Sequence, residues 1–473
     1  MRVLIVHFRS APGKNWVSSS RRVDGDGSDS AGTDGVSLEM VKRRTLLVEM
    51  GHEVSICSAY PWAEYALPRL EFDNDDVMAM MRDMFGTQSM AAATAGVEMA
   101  FRAAVAQLKD DVVRVIEDFQ PDVLFVHNIL SLPVHPAATV ALTEVLRETG
   151  IPCTAIHHDI LNEGAYKFRP TQEFAKRVMD GFFPPALPNL RHWTINSRNQ
   201  KTLAGRDTVA RVIPDTMDFD ESIDDGERLR LRDALRGRYG ISPHDIVLLV
   251  GARIVPNKQI EIAGHLTANL QALLDGTVYR TLYNGLEFAE TGRVMLVLAG
   301  RPERGFVEYQ ESLFGLLDEL GITWMYVGND VRPYRSEEDG VYALYPDMYA
   351  IADFVLYPSG WEGFGNQLLE AIAAGLPVAA FEYPVFKEDI APKGVRVVSL
   401  GDTILPDRDD MGLVRVPASV LEGAAGRIVS ILTDSVEYAG FVGHNTEVGR
   451  ECFGFEVLRA HLRDAMRWAA EFR

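Results

Sequence analysis

Residues 354–380 read FVLYPSGWEGFGNQLLEAIAAGLPVAA. Phe354–Tyr357 is a short apolar strand, Gly363 and Gly365 permit a sharp turn, a helix starts there, and Pro377–Ala380 is the next strand. The same rhythm runs outward in both directions. In the second half the other short runs are Ile246–Val250, Val294–Leu298, Trp324–Val327 and Val395–Ser399. In the first half they are Val3–Val6, Val54–Cys57, Val123–Val126, Thr154–Ile156, Trp193–Ile195 and Arg211–Ile213. Continuous apolar strands alternating with helices are the pattern of parallel sheets covered on both faces. Six strands in each half predict an α/β protein of two Rossmann-like domains.

The acidic, turn-rich stretch Asp215–Glu227 (DTMDFDESIDDGE) marks the junction, and Arg228–Tyr239 reads as a lead-in helix for the second sheet. The expected domains are therefore residues 1–225 and 226–454. A last helix, residues 455–473, has no strand after it and could pack on either domain. One segment breaks the rhythm: Ser10–Gly35 is a long Gly/Ser/Asp-rich connection after the first strand, the kind that serves as a lid or stays a solvated insertion. Its Arg21 and Arg22 would suit an acidic group.

Composition narrows the function. Of 473 residues, 47 are Lys or Arg and 67 are Asp or Glu, a net charge of −20 that excludes a surface built to hold nucleic acid. Three separated cysteines (Cys57, Cys153, Cys452) form neither a disulfide framework nor a zinc ribbon and fit a reducing compartment. The uncharged stretch Val123–Thr143 contains His127, Asn128, Pro133, His135 and Pro136, so it reads as a buried strand plus a loop, not a transmembrane segment. MRVLIVHF at the start is a strand without the apolar core of a signal peptide, and a cytoplasmic location is expected.

Ligands of parallel α/β sheets bind beyond the carboxyl ends of the strands. After Phe354–Tyr357 comes Ser359–Glu370, where Gly363 and Gly365 let the backbone approach a ligand and a helix start offers free N–H groups to an anion. Glu370 is the one charged residue between Gly363 and Phe381 and needs a partner in so apolar a helix. Ribose hydroxyls would serve, and so would water if the helix face is exposed. After Ile246–Val250, Arg253 and Lys258 sit five residues apart on a loop leading into a helix, able to clamp a diphosphate or simply to face solvent. Gly300 and Arg301, after Val294–Leu298, would line the same crevice.

Together, Arg253…Lys258, AGRPE, and two glutamates spaced by seven residues in SGWEGFGNQLLEAIAAGLPV resemble family 4 of the retaining glycosyltransferases, nucleotide-sugar-dependent enzymes of GT-B fold with two Rossmann-like domains facing each other across a cleft. Arg2–Val6, Gly35, GHEV (51–54), PDVLFVHN (121–128) and IHHD (156–159) extend the resemblance through the first half. Within that family, HHD, VIPDTMDF and PVFKEDIAPKG look most like enzymes that use GDP- or UDP-sugars to glycosylate small polar acceptors. The resemblance implies catalytic roles for His158, Arg253, Lys258 and Glu362. Arg253 and Lys258 would hold the diphosphate, Glu362 and the backbone of Gly363, Phe364, Gly365 and Asn366 the donor sugar, and Glu370 the ribose. His158, in preference to His157, would touch the sugar near the reacting carbon, and Gly35, Gly300 and Arg301 would complete the donor site. It implies no cofactor and no metal, because fixed cations meet the charge of the leaving diphosphate. Ser10–Asp34 departs from the family's short loop.

Other motifs carry less. No GxGxxG follows the first strand and no GxxxxGK[ST] occurs. Asp73-Asn-Asp75 is read as a solvated acidic turn, and Asp24-Gly-Asp-Gly-Ser-Asp lacks the glycine and glutamate of a calcium loop. His127 and His135 read as structural. Two functions compete with sugar transfer: nucleotide-sugar 2-epimerisation and a non-catalytic nucleotide-sugar-binding role.

Overall fold

The computed structural model describes residues 1–10, 35–86, 94–160, 168–220, 225–275, 280–288, 292–303, 305–332, 335–336, 339–409 and 412–472. They form two compact units: the residues up to Pro214 together with those from Leu458 onward, and the residues from Asp215 to Val457.

The first unit contains the strands β1 (Arg2–Val6), β2 (Glu53–Ser58), β3 (Tyr65–Ala66), β4 (Val123–His127), β5 (Cys153–His157), β6 (Leu190–Thr194) and β7 (Ala210–Val212). They pair in the order β3-β2-β1-β4-β5-β6-β7, all parallel. Every residue of β4 and β5 is buried, as a sheet covered on both faces requires. The connecting helices are α1 (Gly35–Glu49), α2 (Asp75–Phe85), α3 (Thr94–Phe119), α4 (Pro136–Thr149), α5 (Glu173–Phe182) and α6 (Ser197–Ala204).

The second unit opens with α7 (Asp225–Arg238). It then runs β8 (Ile246–Val250), α8 (Ile260–Leu274), the two-residue strands β9 (Arg280–Thr281) and β10 (Glu287–Phe288), β11 (Val294–Leu298), α9 (Val307–Glu319) and β12 (Thr323–Tyr326). A second short pair, β13 (Val331–Arg332) and β14 (Tyr342–Ala343), precedes β15 (Phe354–Tyr357), α10 (Asn366–Ala373), β16 (Val378–Ala380) and β17 (Val398–Ser399). The helices α11 (Ala418–Thr433), α12 (Ser435–Phe453) and α13 (Phe455–Phe472) complete the described chain. The main sheet is again parallel, in the order β12-β11-β8-β15-β16-β17. Both sheets thus reverse direction beside their first strand, between β1 and β4 in one and between β8 and β15 in the other. A switch point of this kind leaves a crevice at the strands' carboxyl ends.

Two expectations are corrected, and the helix left open to either domain is assigned to one. The stretch Val123–Thr143 is a strand followed by a helix: α4 starts directly after His135, Pro136 occupies its first turn, and ten of its fourteen residues are buried, which erases the amphipathic period. The junction lies before residue 225, because Met217 N–H donates to Phe453 O (2.9 Å), the Phe219 ring abuts Gly449, and Arg450 pairs with Asp220 (3.0 Å), all within the second unit. The terminal helix α13 packs on the first unit from Leu458 onward: Arg459 pairs with Glu49 (2.8 Å), Asp464 with Arg211 (3.2 Å), and Trp468 lies under Arg191 (4.2 Å). The three cysteines are free. Among the described residues no helix is long and apolar enough to cross a membrane.

A buried charge cluster anchors the second sheet. Asp353, just ahead of β15 and 1 % exposed, accepts from Arg232, Arg236 (2.7 Å), Tyr283 Oη (2.9 Å) and the Val247 N–H (2.7 Å). Burial pushes its pKa up, but the two arginines and the hydrogen bonds overrule this and hold it below the usual carboxylate range. Asp353→Asn strands two guanidinium charges and is expected to destabilise the second unit by about 3–5 kcal/mol. A shift of the urea unfolding transition by less than about 1 kcal/mol would show the cluster to be dispensable.

Candidate functional site

In the second unit the loops that follow β8, β11 and β15 are tied together. Ile254 N–H donates to Arg301 O (3.0 Å), extending the β8–β11 pairing past the strand ends. At this crossing a side chain on Gly300 would collide with the Ala252 carbonyl, so the position requires glycine. Gly360 N–H donates to Asn257 O (3.0 Å), and Gln367 Nε2 to Gly251 O (3.1 Å). Gly365 holds φ = 144°, and the Tyr383 hydroxyl fills the space where a Cβ would go while donating to Phe364 O (2.6 Å). That turn aims the N-terminus of α10 past the strand ends.

The charged side chains are held on this frame. Lys258, in a turn just before α8, forms an ion pair with Glu362 from the loop after β15, and both are largely buried, at 8 % and 14 % side-chain exposure. The Tyr357 hydroxyl also bonds Glu362, and burial together with that carboxylate drives the Tyr357 pKa well above its ordinary value. Glu370 is buried in α10 and accepts from the fully buried Tyr349 hydroxyl (2.9 Å), which is likewise kept protonated by burial and by the carboxylate. Arg253 is half exposed and pairs with Glu303 (2.9 Å). Arg301 Nε lies 3.4 Å from Gly328 O, and burial with the nearby Arg332 lowers its pKa. Phe364 is buried against Phe453, and Asn366 Nδ2 reaches Asp215 (3.4 Å). The second unit thus brings together Arg253, Lys258, Gly300, Arg301, Glu362, Gly363, Phe364, Gly365, Asn366 and Glu370 on three adjoining loops and the helix that follows.

The first unit has a different chemistry at the carboxyl ends of β4 and β5, next to its switch point. His158, just past β5, has its ring stacked on that of His127, the last residue of β4, with His127 Nδ1 3.0 Å from His158 Nε2. His157 faces elsewhere and its Nε2 lies 3.0 Å from His192 Nδ1. Gly35 is the exposed first residue of α1, where Glu39 and Arg43 form a fully buried pair (2.6 Å). Asp73 and Asp75 are exposed, as a solvated acidic turn requires, and Asn74 between them caps α2 through the Val77 N–H (3.0 Å). The Asp24 motif, Arg21, Arg22 and most of Ser10–Gly35 lie outside the described residues. Among the described residues no three His, Cys, Asp or Glu side chains gather as metal ligands.

Sequence reasoning missed the tyrosines. Tyr349, Tyr357 and Tyr383 sit in no motif, and the one available signal was the demand of a buried Glu370 for a donor. Glu303, inside AGRPE, was visible but unassigned.

Two parallel Rossmann-like sheets with a charged, glycine-shaped crevice at the second switch point define a glycosyltransferase of GT-B fold, and residues 341–399 match the family described as glycosyl transferases group 1. The chain belongs to this family. It is 34 % identical over 431 residues to the mannosylglucosylglycerate synthase of Thermotoga maritima, covering 90 % of this chain and 95 % of the relative. It is also 34 % identical over 438 residues to the enzyme of the same name from Petrotoga mobilis, with 90 % and 97 % covered. The sucrose-phosphate synthase of Thermosynechococcus elongatus shares the fold at a TM-score of 0.58 and 15 % identity, with 100 % of both chains covered. The epimerase and non-catalytic alternatives are not favoured, since the family matched is one of glycosyl transferases and both of these relatives are named as synthases.

The buried histidines make a pH prediction. Burial, then neighbouring charges, lowers the pKa values of His127, His157 and His158 well below 6.5, and burial takes His192 to about 4. Below pH 6.5 the unfolded chain binds protons that the fold refuses, so stability falls as pH drops through this window. At pH 5 each histidine still neutral in the fold costs about 2 kcal/mol relative to neutral pH. Urea midpoints should therefore decline from pH 7.5 to 5.0; a flat profile would contradict the burial of these rings as neutral groups.

Proposed function

We propose that the protein transfers a hexosyl unit, with retention of configuration, from a GDP- or UDP-sugar to a small polar acceptor. The names of the two relatives suggest a mannosyl unit and an acidic glycoside such as a glucosylglycerate. The observation that carries the reading is the convergence of Lys258, Arg253 and the N-terminus of α10 at the second sheet's switch point. Breaking the anomeric C–O bond develops negative charge on the departing diphosphate, and preorganised cations and helix N–H groups stabilise it. Lys258 is already held in place by Glu362, so it meets the diphosphate without reorganisation.

Glu370, fixed by Tyr349, keeps a carboxylate at the site for ribose hydroxyls. Glu362 and the Gly363–Asn366 backbone address the sugar, and His158 its reacting end, with Gly35, Gly300 and Arg301 completing the donor site. The reaction uses a front-face path in which the leaving phosphate oxygen accepts the acceptor's hydroxyl proton. The nucleotide sugar is a co-substrate; no cofactor is required, and the chain acts in the cytoplasm.

The test is incubation with GDP- and UDP-hexoses and glycerate or glucosylglycerate acceptors, reading nucleotide release and the anomeric configuration of the product. An inverted product would overturn the retaining path. Lys258→Ala and Arg253→Ala should each lower kcat/KM about ten- to a hundredfold, Arg253 at the smaller end because it is half exposed. Unchanged values in both variants would remove the diphosphate assignment. Turnover is also expected to persist in EDTA, the protein's own cations meeting the charge; loss on chelation with recovery on Mg²⁺ would refute that.

A further inference from the structure

The carboxyl ends of β4 and β5 hold a bracket around His158 that the transfer reaction alone does not explain. Asn128 follows β4 in the left-handed region (φ = 56°), a conformation of some cost for any residue but glycine. Its Oδ1 accepts from the N–H groups of both His158 (2.8 Å) and Asp159 (3.1 Å), while its Nδ2 donates to Asp159 Oδ2 (2.9 Å). Asn199 Nδ2 donates to His158 O (3.1 Å). The His158 backbone is therefore gripped at N–H and C=O, and its ring is gripped at Nε2 by His127. His127 is itself located by the His7 ring, whose Nδ1 lies 2.9 Å from His127 O.

The proton positions follow from what is left over. His127 is 0 % exposed and its Nε2 has no hydrogen-bond partner among the described residues. A proton there would be an orphaned buried N–H, rarer and costlier than a bare lone pair. The buried Arg43 guanidinium, whose Nε and Nη2 also lack partners, acts on both rings and favours a lone pair over an N–H. His127 therefore carries its proton on Nδ1 and donates to His158 Nε2. A neutral His158 then has its proton on Nδ1.

We infer that His127 and Asn128 are positioning residues that fix His158 as the neutral Nδ1–H tautomer, so that it offers the reacting sugar a hydrogen-bond donor and takes no part as an acid or base. This rests on the placement of His158 at the sugar proposed above. The bracket accounts for a histidine where a titrating group would be a poor choice: a donor that cannot charge keeps its hydrogen bond constant while positive charge develops on the sugar.

Two measurements test it. Long-range correlation spectra of the full chain labelled with ¹⁵N-histidine, with His158 assigned by the signal lost in His158→Gln, should show the Nδ1–H tautomer; an Nε2–H ring or an imidazolium at pH 7 would overturn the inference. His127→Phe keeps the ring stack and removes the donor. It should lower kcat about ten- to a hundredfold while donor KM stays within about twofold and the unfolding midpoint holds, the scale expected for a misaligned group. His127→Gln, which restores an N–H donor, should recover part of the loss. Wild-type kcat in His127→Phe beside an inactive His158→Gln would sink the positioning role. Wild-type transfer by His158→Gln would instead remove the site assignment, leaving the tautomer to be decided by the spectra.

Discussion

The buried pair of Lys258 and Glu362 is the constraint on which the second unit's crevice depends. Neither charge could be withdrawn from water alone, and each makes the other's burial tolerable. The pair joins the loop after β8 to the loop after β15, the two strands between which the sheet reverses. Around it the backbone must pass at distances only glycine allows, at Gly300 against the Ala252 carbonyl and at Gly365 against Tyr383. The tyrosines beneath act as fixed donors because burial raises their pKa values beyond reach. A crevice built this way arrives organised, and ligand binding need not pay for arranging it.

The two main sheets share one central strand order and place opposite chemistries beyond the carboxyl ends of their central strands. At β8 and β15 the groups are ionic; at β4 and β5 they are imidazoles and amides kept neutral by burial. The difference follows from what surrounds each end. The second unit supplies paired counter-charges, so ionised groups can persist there. In the first, burial keeps the rings neutral, and the Arg43 guanidinium, only partly paired by Glu39, adds to the effect.

Much of this was legible in the residues. Each of the eleven strands of three or more residues was visible as a short run, most of them because a parallel strand buried on both faces must be continuously apolar. The loops carrying Lys258, Gly300, Glu362 and Glu370 followed from those strands, since ligands gather at carboxyl ends. What escaped did so for physical reasons. Strands of two residues, such as Tyr65–Ala66 and Arg280–Thr281, are too short to show a period. The helix Pro136–Thr149 is buried nearly all round and has no polar face to reveal it. Tyr349 lies 21 residues from the carboxylate it serves, a pairing that only the fold creates. Residues 215–220 look like an acidic linker by composition, yet Met217 and Phe219 tie them to the second unit.

The position of α13 bears on how the chain assembles. The second unit is one continuous segment, Asp215 to Val457, whereas the first is closed by residues from Leu458 onward, which follow the second in the chain. Arg191, Trp193 and Arg211 are covered by Trp468, His461 and Asp464 of α13, so that face can be closed only after the whole second unit has been synthesised. Topologically, the second unit is an insertion within the first, so a chain cut at residue 214 would part the first unit from the helix that closes it.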